Sequence, residues 1–148
     1  MGEGGDFRLT VSVCIATCER SQFLSIALDY LGRQMRPPDE VVVADASVGR
    51  EGEQVVRAFG DNHPAVRVNY ARSTRRDLPW LRWWGFCHSK GRVVLFLDDD
   101  IRLEPGAIER LLEVYALAGS GVAGVGLAIA VEGRGRQRNR QSFRERWV

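Results

Sequence analysis

Short runs of β-branched and aliphatic residues alternate along this chain with longer stretches whose apolar positions recur every three or four residues. Val11 to Ala16, VSVCIA, is the first run and predicts a buried strand. Ser21 is placed to cap a helix in which Phe23, Ala27 and Tyr30, with Leu24, Leu28 and Leu31, fall at helical spacing. Pro37 and Pro38 end that helix, because proline cannot continue it. Glu40 to Ala44 predicts a second buried strand, running into Asp45 and Ser47. Gly49 to Phe59 is a weaker helix with Val55, Val56 and Phe59 on its apolar face, and Val66 to Tyr70 is a third strand. The segment ARSTRRDLPWLRWWGF leads into a short helix from Pro79 to His88, proline being tolerated in a first turn. Arg92 to Leu97 is the fourth strand. Pro105 to Leu117 is a helix with Ile108, Leu111, Leu112 and Tyr115 on one face, and Val122 to Val131 predicts a fifth strand. No internal repeat is visible.

Strands alternating with helices predict an α/β fold: a Rossmann-like, mostly parallel sheet flanked by helices. Such sheets bind ligands beyond the carboxyl ends of their strands. Three predicted strands end in polar residues at that edge: Thr17 after the first, Asp45 after the second, Asp98, Asp99 and Asp100 after the fourth. Consecutive carboxylates repel by about 1 kcal/mol per pair even in water. A solvated turn is the usual setting for such a run. Here it follows VVLFL directly, and the next helix starts too late for Asp98 to cap it. Alternate acids can converge on one cation, and oxygen-only ligands favour Mg2+ or Mn2+, which commonly share their coordination with phosphate. Arg72, Arg75, Arg76 and Arg82 lie just upstream, and guanidinium groups bind phosphate oxygens bidentately. Arg75 and Arg76 read equally well as solvated; Arg82, among Trp80, Leu81, Trp83 and Trp84, reads as half-buried.

Composition sets the frame without changing the picture. The 148 residues suit one domain, and 45% hydrophobic with 27% charged residues is ordinary for a globular protein. The formal net charge is only +2, which does not call for nucleic acid. Residues 132–148 hold six arginines against two glutamates, a net +4, so the first 131 residues sum to −2. That divides the chain into a domain over 9–131 and an Arg-rich tail over 132–148, of a composition that is usually mobile. Such a tail could touch an anionic membrane face at about 1 kcal/mol per basic residue, though most such runs are simply solvated. Val114 to Val131 carries no charge over 18 residues, the lower limit for a span. Its four glycines instead suggest a helix end, a turn and a buried strand. The first residues lack the basic flank and apolar stretch of a signal peptide. Cys14, Cys18 and Cys87 form no disulfide rhythm and suit a reducing, cytoplasmic setting. With His88 they have the wrong spacing for a zinc knuckle, and they read as small buried hydrophobes. Trp80, Trp83 and Trp84 read as core packing ahead of sugar stacking.

The order VSVCIATCER, RPPDEVVVADAS, LRWWGF and KGRVVLFLDDD resembles family 2 glycosyltransferases, with the nucleotide-diphospho-sugar transferase (GT-A) fold, over about residues 9 to 131. The resemblance implies that Thr17, Cys18, Glu19 and Arg20 wrap the nucleoside of a nucleotide-diphospho-sugar donor. It implies that Asp45 hydrogen-bonds the base with Ser47 beside it, that Arg82 lies near the phosphates, and that Asp98 and Asp100 hold Mn2+ or Mg2+ on the diphosphate. Asp99 is then directed to the ribose or donor sugar. Cys18 and Glu19 stand where the family has Tyr and Asn, Ala46 where a second Asp or a Gly is common, and Trp83 where an Asn follows the arginine. The family's acceptor site and catalytic base lie beyond the fifth strand. Glu132 and Glu145 are the only acids past Ile129, and neither is assigned as base. The resemblance therefore implies the donor-binding part of the fold, truncated before the acceptor half. The activity implied is metal-dependent transfer with inversion to a glycan, lipid carrier or small molecule. The alternative is a non-catalytic nucleotide-sugar-binding fragment whose acceptor half comes from a partner chain. A receiver domain or a haloacid-dehalogenase-type phosphatase needs acids after the first strand, where this chain has Thr17.

Overall fold

The computed structural model describes residues 9–118 and 122–127. Its elements run in the order β1 (Val11–Thr17), α1 (Ser21–Gly32), β2 (Glu40–Asp45), α2 (Glu51–Asn62), β3 (Arg67–Arg72), α3 (Leu78–His88), β4 (Val93–Asp98) and α4 (Ala107–Ala118). The strands form one sheet in the order β3-β2-β1-β4, and every neighbouring pair is parallel. Parallel pairing follows from the helical crossover between each strand and the next.

Strand periodicity divides the core. Val11, Val13 and Ile15 of β1, Val41 and Val43 of β2, and Val93, Leu95 and Leu97 of β4 face one cluster. Leu24, Leu28 and Leu31 of α1, Val56 and Phe59 of α2, and Ile108, Leu111 and Leu112 of α4 fill it. The opposite face is thinner: Ala44, Ala46 and Leu81, with Ala16, Cys18, Trp80 and Trp84 packed around them. There α3 packs with Gly85 over Cys14, where a β-carbon would sit in ordinary contact at 3.4 Å.

Several expectations need correction. Residues 122–127 form no strand, and 128–131, the rest of the expected fifth strand, lie outside the described residues, as does the 132–148 tail. Val125 packs on the core, but Gly124 and Gly126 on either side have nothing within 4 Å of a would-be side chain, and glycine weakens a strand interior. Ser21 is not a cap; Arg20 is the N-cap of α1, with no side-chain cap bond. α4 begins at Ala107, after a turn at Pro105 and Gly106. Its start is instead satisfied from the segment just after α1: Gln34, 6% exposed, accepts from the Ile108 N–H at 3.3 Å and donates to the Leu103 and Glu104 carbonyls at 3.4 and 2.9 Å. Cys14 is buried, but Cys18 is only partly so and Cys87 is exposed on the outer side of α3. Trp83 is 60% exposed, so only Trp80 and Trp84 follow the core reading. Among the described residues no helix is long and apolar enough to cross a membrane.

Gly91 marks a close approach. Its N–H donates to Ser12 Oγ at 2.8 Å, and a β-carbon there would lie 2.5 Å from Ser12 N and 2.9 Å from the Val11 carbonyl carbon. Those are backbone atoms of β1, which is fixed between β2 and β4. Gly91→Ala is expected to cost about 2 kcal/mol of stability by overpacking, read as a lower urea midpoint with unchanged slope. An unchanged midpoint would show that the turn before β4 can yield.

Candidate functional site

The register of the sheet brings the polar strand ends together. Thr17 pairs with Asp45, Ala16 with Asp98, and Asp45 with Arg72. Four loops therefore open at one edge: residues 18–20 after β1, 46–50 after β2, 73–77 after β3 and 99–106 after β4.

Alternation along the end of β4 separates the three acids. Asp98 and Asp100 are exposed, whereas Asp99 is 4% exposed. Asp99 Oδ2 accepts from the Thr17 hydroxyl at 2.7 Å, tying β4 to the end of β1. Burial pushes the Asp99 carboxyl above the usual Asp value, the Thr17 hydrogen bond and the Arg20 charge pulling partly back. Arg20 Nη2 donates to Asp100 Oδ2 at 2.7 Å, and its Nη1 lies 3.4 Å from Asp99 Oδ1. The hydrogen bond to Asp100, then the Asp99 charge, raise the Arg20 guanidinium above its ordinary value, so it stays charged. Arg82, from α3, donates to Asp98 Oδ1 at 2.5 Å. α3 is aimed there by its own start, where Asp77 caps the Trp80 N–H at 3.3 Å.

The other loops are clasped by Glu19, the only non-glycine residue at positive φ, 54°, among the described residues. Its N–H donates to Ser47 Oγ at 2.7 Å. Its Oε1 accepts from the Val48 N–H and from Arg76 Nη2, each at 2.9 Å. Arg72 Nη2 donates to the Val48 carbonyl at 2.5 Å. Beside this clasp is an open groove of about 310 Å³, lined by Glu19, Ser21, Ser47, Gly49, Glu51 and Gly52.

Asp45 lies beneath the groove, 1% exposed. Its oxygens accept from the Ser47 N–H and from the Tyr70 hydroxyl, each at 2.8 Å. Burial and that bond hold the Tyr70 phenol well above its usual pKa, hence protonated as the donor. Any side chain at Gly52 would run into Asp45 Oδ2, so the first turn of α2 rests on this carboxylate. Cys18 turns away, its Sγ 3.5 Å from the Ala46 carbonyl.

The geometry thus gathers Thr17, Arg20, Arg82, Asp98, Asp99 and Asp100 in one network, and Glu19, Ser47 and Asp45 in an adjoining one. Tyr70 and the Thr17–Asp99 bond escaped sequence reasoning. In retrospect, the placement of Tyr70 two residues before the polar strand end is their one signal. Asp98 and Asp100 are solvent-facing carboxylates that flank a third turned inward. Among the described residues no group of three or more His, Cys, Asp or Glu side chains is gathered as a metal cage, so a hard cation here would need oxygens from a ligand or water as well.

Residues 12–147 match the family model described as glycosyl transferase family 2. A glucosyl-dolichyl phosphate glucuronosyltransferase of Haloferax volcanii is 29% identical over 108 residues, 73% of this chain and 34% of that protein. Among solved structures, the mannosyltransferase PcManGT of Pyrobaculum calidifontis, in complex with GDP-Man and Mn2+, is 26% identical. Its TM-score is 0.57 over 64% of this chain and 28% of that one. S. aureus TarS superposes with a TM-score of 0.64 at 21% identity, over 81% of this chain and 23% of its own. The fold is that of the GT-A glycosyltransferases, and the chain spans about a third or less of the length of these relatives.

Proposed function

Because this chain belongs to glycosyl transferase family 2, we propose that its loop edge binds a nucleotide-diphospho-sugar donor together with Mn2+ or Mg2+. The observation that carries this reading is the convergence of Asp98 and Asp100 with Arg20 and Arg82 at the carboxyl edge of a parallel sheet. Carboxylates at that place attract a divalent cation, and arginines beside them take phosphate oxygens. The PcManGT structure contains GDP-Man and Mn2+, and a TarS structure contains UDP-GlcNAc.

Asp98 and Asp100 hold the cation, which when bound supplies the positive charge that stabilises a departing nucleoside diphosphate. Asp99 orients Thr17 and Arg20 from below. Arg82 and Arg20 take the diphosphate oxygens. Glu19 and Ser47 line the groove proposed for the nucleoside, and Asp45 fixes Ser47 through its backbone N–H. Cys18 adds only packing behind the loop. Transfer would be a single displacement with inversion, in which a general base takes the proton of an acceptor hydroxyl. No described side chain is assigned as that base. The chain spans 34% of the Haloferax relative, which favours a second reading: a donor-binding part that transfers sugar only with an acceptor half.

Calorimetric titration of the chain with UDP, GDP and dTDP, with and without Mn2+, tests the reading. The expected result is binding of at least one nucleotide with a Kd of about 1 mM or tighter, only when Mn2+ is present. Absence of binding to all three in Mn2+ would leave the fold intact and remove the donor site.

A further inference from the structure

We propose that Arg20 and Arg82 serve as internal counter-cations of Asp98–Asp100, held on the carboxylates at rest and passed to phosphate oxygens when cation and diphosphate enter together. The proposal rests on the donor-site reading above and adds a mechanism that couples its two ligands.

Every acid in the run is engaged by a guanidinium. Arg82 is on Asp98, and Arg20 bridges Asp99 and Asp100. The two arginines come from separate elements, the N-cap of α1 and the body of α3. Both side chains are 42% exposed. Ion pairs that wet are weak and open readily. The Arg20 guanidinium rests 4.7 Å from the centre of the Phe23 ring, which steadies it without binding it to the acids. Arg82 lies between buried Leu81 and exposed Trp83 on α3.

Charge counting gives the coupling. Three carboxylates and two guanidinium groups leave the resting cluster at one net negative charge. A divalent cation alone takes it to one net positive charge and forces two guanidinium groups against it. A nucleotide-diphospho-sugar alone, with two ionised phosphate oxygens, takes it to three net negative charges. Entering together they restore the resting value. The guanidinium groups then leave the carboxylates for phosphate oxygens, which they match at least as well. Each ligand is thus disfavoured alone and favoured by the other, a linkage that must be reciprocal.

The test is Mn2+ affinity of the full chain without nucleotide, read from the electron paramagnetic resonance signal of free Mn2+. Arg20→Gln and Arg82→Gln are each expected to tighten Mn2+ about tenfold, within the usual range of coupling between sites. The same variants are expected to weaken UDP or GDP at saturating Mn2+, and a purely structural role would not move the two affinities in opposite directions. Arg76→Gln removes an equal charge from a guanidinium held by Glu19 instead, and should change Mn2+ affinity less than about twofold. Equal tightening in all three variants, or none in Arg20→Gln and Arg82→Gln, overturns the exchange while sparing the donor site. The Asp98→Ala/Asp100→Ala variant separates the two ideas. If it binds Mn2+ like the unaltered chain, the donor-site reading itself is lost.

Discussion

Replacing Asp98 and Asp100 together by alanine is expected to lower Mn2+-dependent nucleoside diphosphate affinity at least about 100-fold, equal to about 2.8 kcal/mol. Folding stability should stay within about 1 kcal/mol. The two acids are solvent-facing and pair only with exposed arginines, so little of the fold leans on them. Their mutual repulsion also offsets what those pairs contribute. The substitution removes the only two outward carboxylates at the end of β4, and Asp99 cannot replace them. It is buried and committed to Thr17, and burial disfavours its charged form. The measurement pairs a calorimetric titration with a urea melt. Retained affinity would place the cation elsewhere; a collapsed melt would mean that the acids organise the loop rather than the ligand.

The parallel sheet and the gathering of polar strand ends at one edge were legible because both depend on local pattern. β-branched runs of five or six residues separated by helical periodicity leave few other folds, and polar residues ending three of the runs mark one edge. What connects the loops was not legible. The Thr17–Asp99 bond joins residues 82 apart in sequence, and Arg20–Asp100 residues 80 apart; no periodicity records such pairs. Arg20, expected at the nucleoside, also pairs with the acids, which no local pattern foretold. Ser21 has the residue type of a cap, but Arg20 holds that position, and Gln34 satisfies α4 from the segment that follows α1. Intrinsic preference loses wherever a long-range partner does the same work. The predicted fifth strand fails over 122–127 for the opposite reason: its apolar residues fit the pattern, but only Val125 reaches the core while Gly124 and Gly126 face open space.

The second large effect lies at the opposite end of the same sheet. Glu40→Ala is expected to destabilise the fold by about 3 kcal/mol, the cost of stripping partners from buried polar groups. Glu40 opens β2 and is 2% exposed. Its Oε2 accepts from Ser12 Oγ at 2.5 Å and from the Lys90 N–H at 2.8 Å, and Arg67 lies 3.6 Å from Oε1. Ser12 Oγ in turn accepts from the Gly91 N–H, so one carboxylate locks β1, β2 and the turn into β4. Without it, the Ser12 hydroxyl and the Lys90 N–H are left beside a cavity, whereas Arg67, mostly exposed, can turn to water. Glu40→Gln keeps an acceptor and should cost about half as much. At about 3.3 Å per residue, Glu40 is roughly 16 Å from Asp45 along β2. Nucleotide affinity of whatever folds should therefore be unchanged. The same kind of side chain thus has opposite consequences at the two ends of the sheet. At the amino edge a carboxylate is enclosed by donors and its loss is expected to be paid in stability; at the carboxyl edge two face water, and their loss is expected to lower ligand affinity instead. A Glu40→Ala chain that melted like the unaltered one would mean that water already reaches the Ser12–Glu40 pair, contrary to its burial.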